Sequence, residues 1–172
     1  MGSVYTLLDA GKETDLPPEV AGKRLPAELF PPGFSPELLR KLRPDLLVIA
    51  GLAHDEHPQQ GHTYRILMAE VGYCSDTNHT IKHMEKQHQH ALLQQELLAA
   101  GHTVTYHVIT LGTTGTIHNN IYKALRDFGV PQEATKTLLT KLSRHATTSA
   151  TNILRMRRHM EWQDPTMGRE PG

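Results

Sequence analysis

Two acidic residues of this chain lie in apolar runs, where an ionised carboxylate is costly to bury unless a partner or a metal ion compensates it. Asp45 begins a run rich in Leu, Val and Ile, and Glu70 lies inside the next such run. Both runs are bounded by Pro, Gly or polar residues, which is typical of strands. If the two strands are neighbours, Asp45 and Glu70 can hold a divalent cation between them, and their oxygen ligands suit Mg²⁺ or Mn²⁺.

The elements that must position these side chains follow from hydrophobic periodicity and from turn residues. The predicted strands cover 45–49, 65–73 and 103–111. The predicted helices cover 36–42, 79–100, 117–128, a segment that begins at 131, and about 149–162. This alternation predicts an α/β protein.

Two of these helices have apolar positions that are expected to face the core, as amphipathic helices of soluble proteins do. In helix 79–100 the expected inward stripe is Ile81, Met84, His88, Ala91, Leu92 and Leu98. In the helix that begins at 131 the expected inward residues are Ala134, Leu138, Leu139 and Leu142.

The length of 172 residues suits one domain with a single core. Dense prolines predict an extended N-terminal segment over 1–36. The predicted core covers 37–130, a helical extension covers 131–163, and a tail covers 164–172.

Charge is balanced over the whole chain, with 18 basic and 18 acidic residues, but it is unevenly distributed. The segment 131–160 carries six basic residues against one acidic residue. Arg155, Arg157 and Arg158 are therefore candidates for contact with a nucleic-acid backbone. Under the alternative interpretation, the arginines face water and the helix closes the core through its apolar side chains Ile153, Leu154 and Met156.

The single cysteine, Cys74, excludes an internal disulfide and any zinc site built on several cysteines. A reducing compartment, the nucleus or the cytoplasm, fits this cysteine usage best. No apolar run approaches the ~20 residues that a membrane span requires, so no membrane partner is expected.

The pattern of elements resembles the restriction-like PD-(D/E)XK nuclease core over about residues 38–128. Pro44-Asp45 corresponds to the first motif and Glu70 to the second acid. A narrower resemblance is to the restriction-like endonuclease domain at the C-terminus of early-branching non-LTR retrotransposons. In that family a helix bears a lysine with an aromatic residue one turn later, and here Lys86 and His90 hold those positions.

The resemblance implies a restriction-endonuclease-like fold, a small mixed sheet flanked by helices, with extra C-terminal helices. It implies a metal-dependent DNA endonuclease in which Asp45 and Glu70 bind Mg²⁺ or Mn²⁺ and Lys86 is catalytic. Lys82 and the three arginines would contact the DNA. The biological role would be target-DNA nicking, with a reverse transcriptase domain of the same polyprotein as partner.

One position departs from the family pattern, since Gly72 stands where the motif places its lysine, two residues after the acid. A lysine on the following helix can replace it, and Lys82 and Lys86 share one helix face. If neither lysine reaches the acids, the alternative is a catalytically inactive, nuclease-derived domain that serves as an interaction or structural module.

A third possibility arises from the seven histidines between His79 and His118. His79 with His83, or His83 with His90, could meet on one helix face and bind zinc. No HExxH motif accompanies them.

Overall fold

The computed structural model describes residues 5–8, 25–35, 43–52 and 56–163, and it shows a mixed α/β arrangement in these ranges. The strands are β1 (Tyr5–Leu8), β2 (Leu46–Ala50), β3 (Arg65–Cys74) and β4 (Thr103–Gly112). The helices are α1 (His79–Gln89), α2 (Ala91–Ala99), α3 (Asn120–Asp127) and α4 (Gln132–Gln163), with short 3₁₀ turns at Ala27–Leu29 and Asp76–Asn78. No helix in these ranges is both long and apolar enough to cross a bilayer.

The four strands form one mixed sheet in the order β1-β2-β3-β4. β1, β2 and β3 pair antiparallel, whereas β4 runs parallel to β3. A parallel pair requires a crossover connection, and α1 and α2 provide it. The strand β1 comes from the segment 1–36, for which the sequence predicted no strand.

One hydrophobic cluster covers the face of the sheet that packs against α2 and the 25–30 segment. Leu47 and Ile49 of β2 meet Ile66 and Met68 of β3 in this cluster. The other members are Leu25, Leu29, Phe30, Leu52, Leu93 and Leu97.

A second cluster covers the opposite face. Ala69, Ile109 and Leu111 of the sheet pack there against residues of α3 and α4. The sheet is therefore covered by helices on both sides, which explains why its central strands read as nearly continuous apolar runs. The predicted α/β class is confirmed at this level.

The three predicted strands and the predicted helices from residue 79 onward are all present, with shifted boundaries. The predicted helix 79–100 is interrupted at His90, whose backbone torsion angles of φ −113° and ψ 16° lie outside the helical range. Helix α3 begins three residues later than predicted, because Ile117 forms a β-bridge with Leu111. The predicted helix 36–42 lies outside the described residues, as does the tail 164–172.

The predicted inward stripe of helix 79–100 was wrong. Ile81, Met84, Leu92 and Leu98 are between 42% and 61% exposed. The side chains that face the protein are offset from this stripe around the helix, and they are His79, His83, Lys86, His90, Leu93 and Leu97. Lys86 and His90 are polar because they contact the buried Glu70, and His79 and His83 lie beside His118 and Asn120.

The two predicted C-terminal helices are a single helix, α4. Of the residues predicted to face inward, Leu139 is buried and Leu138 and Leu142 are partly buried, whereas Ala134 is exposed. The alternative interpretation, closure of the core by the end of this helix, is not supported, because its apolar side chains are 52–68% exposed: Ile153, Leu154 and Met156.

Candidate functional site

Asp45 and Glu70 lie directly opposite each other at one end of the β2–β3 pair. The register pairs Leu46 with Ala69, so one further step places Asp45 opposite Glu70. The backbone N–H of Asp45 donates to Glu70 Oε2 at 3.4 Å. In return, the backbone N–H of Val71 donates to Asp45 Oδ2 at 2.6 Å. These reciprocal contacts hold both acidic side chains at the same end of the strand pair.

Glu70 is buried, with 3% of its surface exposed. Lys86 of α1 and His90, the residue that follows α1, satisfy it. Lys86 Nζ lies 2.5 Å from Glu70 Oε1. His90 Nε2 lies 3.0 Å from Glu70 Oε2, and because a carboxylate can only accept, this nitrogen carries the proton. Burial raises the pKa of Glu70, but the hydrogen bonds and charges of His90 and Lys86 outweigh it and hold the pKa below the usual 4.5. Glu70 is therefore ionised at neutral pH.

Gly72 provides the space in which the Lys86 side chain lies. A Cβ atom at position 72 would come within 3.4 Å of Lys86 Cε and 3.7 Å of Lys86 Cγ. The lysine stem thus crosses the sheet directly over the glycine, at the position from which the usual motif lysine would project. A Cβ here would make ordinary van der Waals contact with Lys86, whereas a longer side chain such as lysine would compete with Lys86 for the same space. The departure from the motif therefore has a structural reason.

Tyr106 of β4 anchors the helix that carries this lysine. Its hydroxyl donates to the backbone carbonyl of Lys86 at 2.7 Å. Its ring meets the ring of His90 edge-on, with centroids 6.0 Å apart. Burial and the negative charges of Glu70 and Asp45 raise the pKa of Tyr106, so its hydroxyl keeps the proton that it donates.

The lowered pKa of Glu70 predicts a pH-dependent contribution to stability. The ionised carboxylate stabilises the folded state fully above its usual pKa of 4.5, and this stabilisation is lost as the pH falls through the lower folded pKa. We expect the difference in unfolding free energy between the wild type and Glu70→Gln to shrink steadily at acid pH. Urea unfolding of both proteins across the acid range measures it, and a difference that is independent of pH would contradict the assigned charge state.

The other predicted site residues lie apart from this centre. Lys82 pairs with Glu85 at 3.0 Å on the exposed side of α1. Arg155 is exposed on α4, which packs on the opposite face of the sheet. The side chains of Arg157 and Arg158 lie outside the described residues. The structure therefore brings together Asp45, Glu70 and Lys86 and leaves Lys82 outside the group.

The donor set of the acidic pair fits a hard divalent cation. In the described ranges, no group of three or more His, Cys, Asp or Glu side chains is arranged to hold a metal ion. Mg²⁺ does not require such a group, because it is commonly bound by one or two carboxylates and completes its shell with water and substrate phosphates. Asp45 and Glu70 supply two adjacent carboxylates, and each carboxylate oxygen can accept more than one contact.

Sequence reasoning did not find the contribution of Tyr106 or the position of His118. His118 comes from the turn before α3 and stacks on His79, with ring centroids 3.4 Å apart. His79 also lies beside His83, at 5.9 Å between centroids. No local spacing signals this group, because His118 is distant in the sequence. His90, the other predicted partner of His83, instead binds Glu70.

Comparison of this chain with protein-family models, with curated proteins and with solved structures finds no match. The interpretation of the site therefore depends on its own geometry.

Proposed function

We propose that this chain is a metal-dependent DNA endonuclease domain with a restriction-like core. The observation that carries the proposal is the convergence of Asp45, Glu70 and Lys86 from two neighbouring strands and the following helix. These are three residue types that hydrolysis of a phosphodiester uses: two metal-binding carboxylates and a cation for the charge of the transition state.

The arrangement of elements supports the same proposal. The first acid precedes a strand of a small mixed sheet, the second lies on the adjacent strand, and the lysine comes from the next helix. Helices cover both faces of the sheet. This is the pattern on which the resemblance to restriction-like nucleases was based. Lys86 contacts Glu70 through its side chain, and Asp45 contacts Glu70 through its backbone N–H.

Each residue has a distinct role in the proposed reaction. Asp45 and Glu70 would hold Mg²⁺ or Mn²⁺, which when bound polarises the scissile phosphate and lowers the pKa of a bound water. Lys86 keeps 19% of its side chain exposed, so its ammonium group can meet a phosphate oxygen while it remains beside Glu70. His90 fixes the Glu70 carboxylate through its Nε2–H, and Tyr106 fixes the backbone of the lysine.

The biological context follows from the resemblance alone. The domain would nick target DNA in the nucleus, ahead of a reverse transcriptase domain of the same polyprotein.

Incubation of the purified protein with supercoiled plasmid tests the activity. We expect nicked circles to accumulate with Mg²⁺ or Mn²⁺ and not with EDTA. Intact plasmid under both metal conditions, on several sequences, would contradict the proposal.

The basic end of α4 is expected to contribute to DNA affinity. Positions 155, 157 and 158 fall within one turn of α4, and helical geometry places such positions on different faces, so we expect at most two of these arginines to contact one duplex backbone. Changing all three to Ala should reduce the slope of log affinity against log salt by up to about two units, because each phosphate contact contributes ~0.9. Affinity should fall equally for all sequences, since phosphate contacts carry no base information. An unchanged slope in fluorescence anisotropy titrations would remove these arginines from the DNA interface.

A second function, an inactive interaction module, is favoured by a different observation. Lys86 and His90 already satisfy both oxygens of Glu70, as in a purely structural ion-pair network. In addition, the outer face of α1 exposes Ile81 and Met84. Calorimetry with Mn²⁺ distinguishes the two functions: a nuclease binds the ion in a way that Asp45→Ala abolishes, whereas an inactive module binds none.

A further inference from the structure

A pocket beside the proposed catalytic centre is lined by three imidazole rings. Its volume is about 360 Å³, and His79, His83 and His118 line it together with Thr80, Asn119 and Asn120. The Nε2 atoms of His79 and His118 are buried and have no hydrogen-bond partner within the described part of the chain. Buried nitrogen atoms without partners are costly, which indicates that a ligand completes this site.

The ring geometry argues against a shared metal ion. His79 and His118 are stacked, with centroids 3.4 Å apart and an angle of 25° between the planes. An imidazole binds a metal in the plane of its ring at about 2.0–2.1 Å. Rings stacked at this spacing direct their lone pairs along nearly parallel lines, so one ion cannot lie in both planes at that distance. This geometry excludes an ion shared by His79 and His118. The predicted zinc pair of His83 with His90 is not formed, because His90 binds Glu70, and the pair of His79 with His83 stays a prediction.

No acidic side chain is among the described residues that line the pocket, so an anion is the complementary ligand of its histidines when they are protonated. Burial lowers the pKa of His79, and the neighbouring His118 and His83 lower it further. No carboxylate contributes to this shift, and the titratable groups that line the pocket are these three histidines. A bound anion relieves the mutual repulsion of the rings when they are protonated, and it accepts hydrogen bonds from their N–H groups.

Asn120 fixes the orientation of the third ring. Its Nδ2 donates to the carbonyl of Val108 at 2.7 Å and lies 3.5 Å from His83 Nδ1. Because the amide nitrogen is a donor, Nδ1 of a neutral His83 accepts, and its proton resides on Nε2. The remaining Oδ1 of Asn120 is a buried acceptor without a partner, and it suits an imidazolium N–H.

The position of the pocket relates it to the proposed DNA site. His79, His83 and Lys86 lie along one face of α1, and the first and last are seven positions apart, a rise of about 10 Å. A DNA backbone that runs along this face would therefore pass both the pocket and Lys86. We propose that the pocket binds a backbone phosphate of the DNA strand, adjacent along the backbone to the phosphates at Lys86. The identity of the ligand as DNA rests on the proposed nuclease function, whereas the affinity for phosphate does not.

A first test needs no variant and no cleavage. Inorganic phosphate is titrated into protein with ¹⁵N-labelled histidine, and the imidazole signals are followed by NMR. We expect saturable shifts at His79 and His118, with binding that weakens as the pH rises, because the bound anion favours their protonated forms. The exposed His57 serves as the internal control. Shifts that do not saturate, or that equal those of His57, would contradict phosphate binding in the pocket.

A second test measures DNA binding in EDTA, where no cleavage occurs. Changing both His79 and His118 to Gln should lower the affinity for duplex DNA and reduce the salt slope by about one unit, the value of one phosphate contact. His57→Gln should change neither quantity. An unchanged slope in a double variant that melts like the wild type would overturn the assignment to DNA. Phosphate binding by a protein that never nicks plasmid would instead refute the nuclease function and leave the pocket standing.

Discussion

Glu70→Gln is expected to abolish DNA nicking, with a loss of at least about 10²–10³-fold in rate, the size of one preorganised charge at a transition state. The change removes the charge that would bind the metal in the proposed site, while it keeps the volume of the side chain. Nicking of supercoiled plasmid under saturating Mg²⁺ measures the effect. Glu85→Gln is the matched control, because Glu85 is an exposed acid on α1 that pairs only with Lys82. Nicking by Glu70→Gln at the wild-type rate would remove Glu70 from the metal site.

The same variant is expected to lose stability, by about 1–3 kcal/mol, the cost of leaving buried polar partners imperfectly satisfied. Relief of a desolvated carboxylate would by itself hold or raise stability. Here Lys86 and His90 compensate the charge and keep the pKa of Glu70 low, so the loss of their contacts outweighs that relief. In glutamine an NH₂ group replaces one of the two carboxylate oxygens, and this donor would face the donor of Lys86 or of His90.

Lys86→Ala is expected to slow nicking by about 10²–10³-fold, whereas Lys82→Ala should leave the rate close to that of the wild type. The two lysines share a helix and a charge, but only Lys86 reaches Glu70. Single-turnover nicking assays of both variants measure the difference. Equal small effects would mean that neither lysine takes part in the reaction.

Whether Lys86 replaces the motif lysine can be tested by placing a lysine at position 72 of the strand. Gly72 has no backbone strain that demands glycine, and the space above it is filled by the stem of Lys86. In Lys86→Ala that space is open, so adding Gly72→Lys should restore part of the rate. Gly72→Lys alone should be inferior to the wild type, because two stems then compete for one space. If the double variant, with its fold intact, nicks DNA no faster than Lys86→Ala, then Lys86 does not take the place of the motif lysine.

The strands were predictable because their apolar residues cover both faces of a sheet. The proximity of Asp45 to Glu70 was expected if the two strands were neighbours, and β2 and β3 do pair. The inward face of α1 was not predictable by the same logic. An apolar stripe normally marks the buried side of a helix, yet here Ile81 and Met84 face outward and Lys86 faces inward. The rule failed because a buried carboxylate, and not an apolar core, is the partner of this helix. Departures of this kind are expected at functional sites.

The grouping of His118 with His79 was not predicted, for a different reason. His118 approaches His79 only because β4 runs parallel to β3 and the chain then turns into α3. Contacts that depend on such long-range topology leave no periodic signal in the sequence. The start of α3 was also misplaced, since the bridge between Ile117 and Leu111 is a tertiary contact.

Helix α1 contains no fully buried side chain, so polar contacts to Glu70 and Tyr106 hold much of it against the sheet. A metal ion bound to Glu70 would share the carboxylate charge with Lys86, and it would therefore weaken the Lys86–Glu70 contact that helps to hold the helix. Local opening of α1 should thus need less free energy than opening of the sheet, and still less when the ion is bound. If the domain is the proposed nuclease, the helix that carries Lys86 would also be the element most easily released, and a DNA strand could then enter and leave without unfolding of the core.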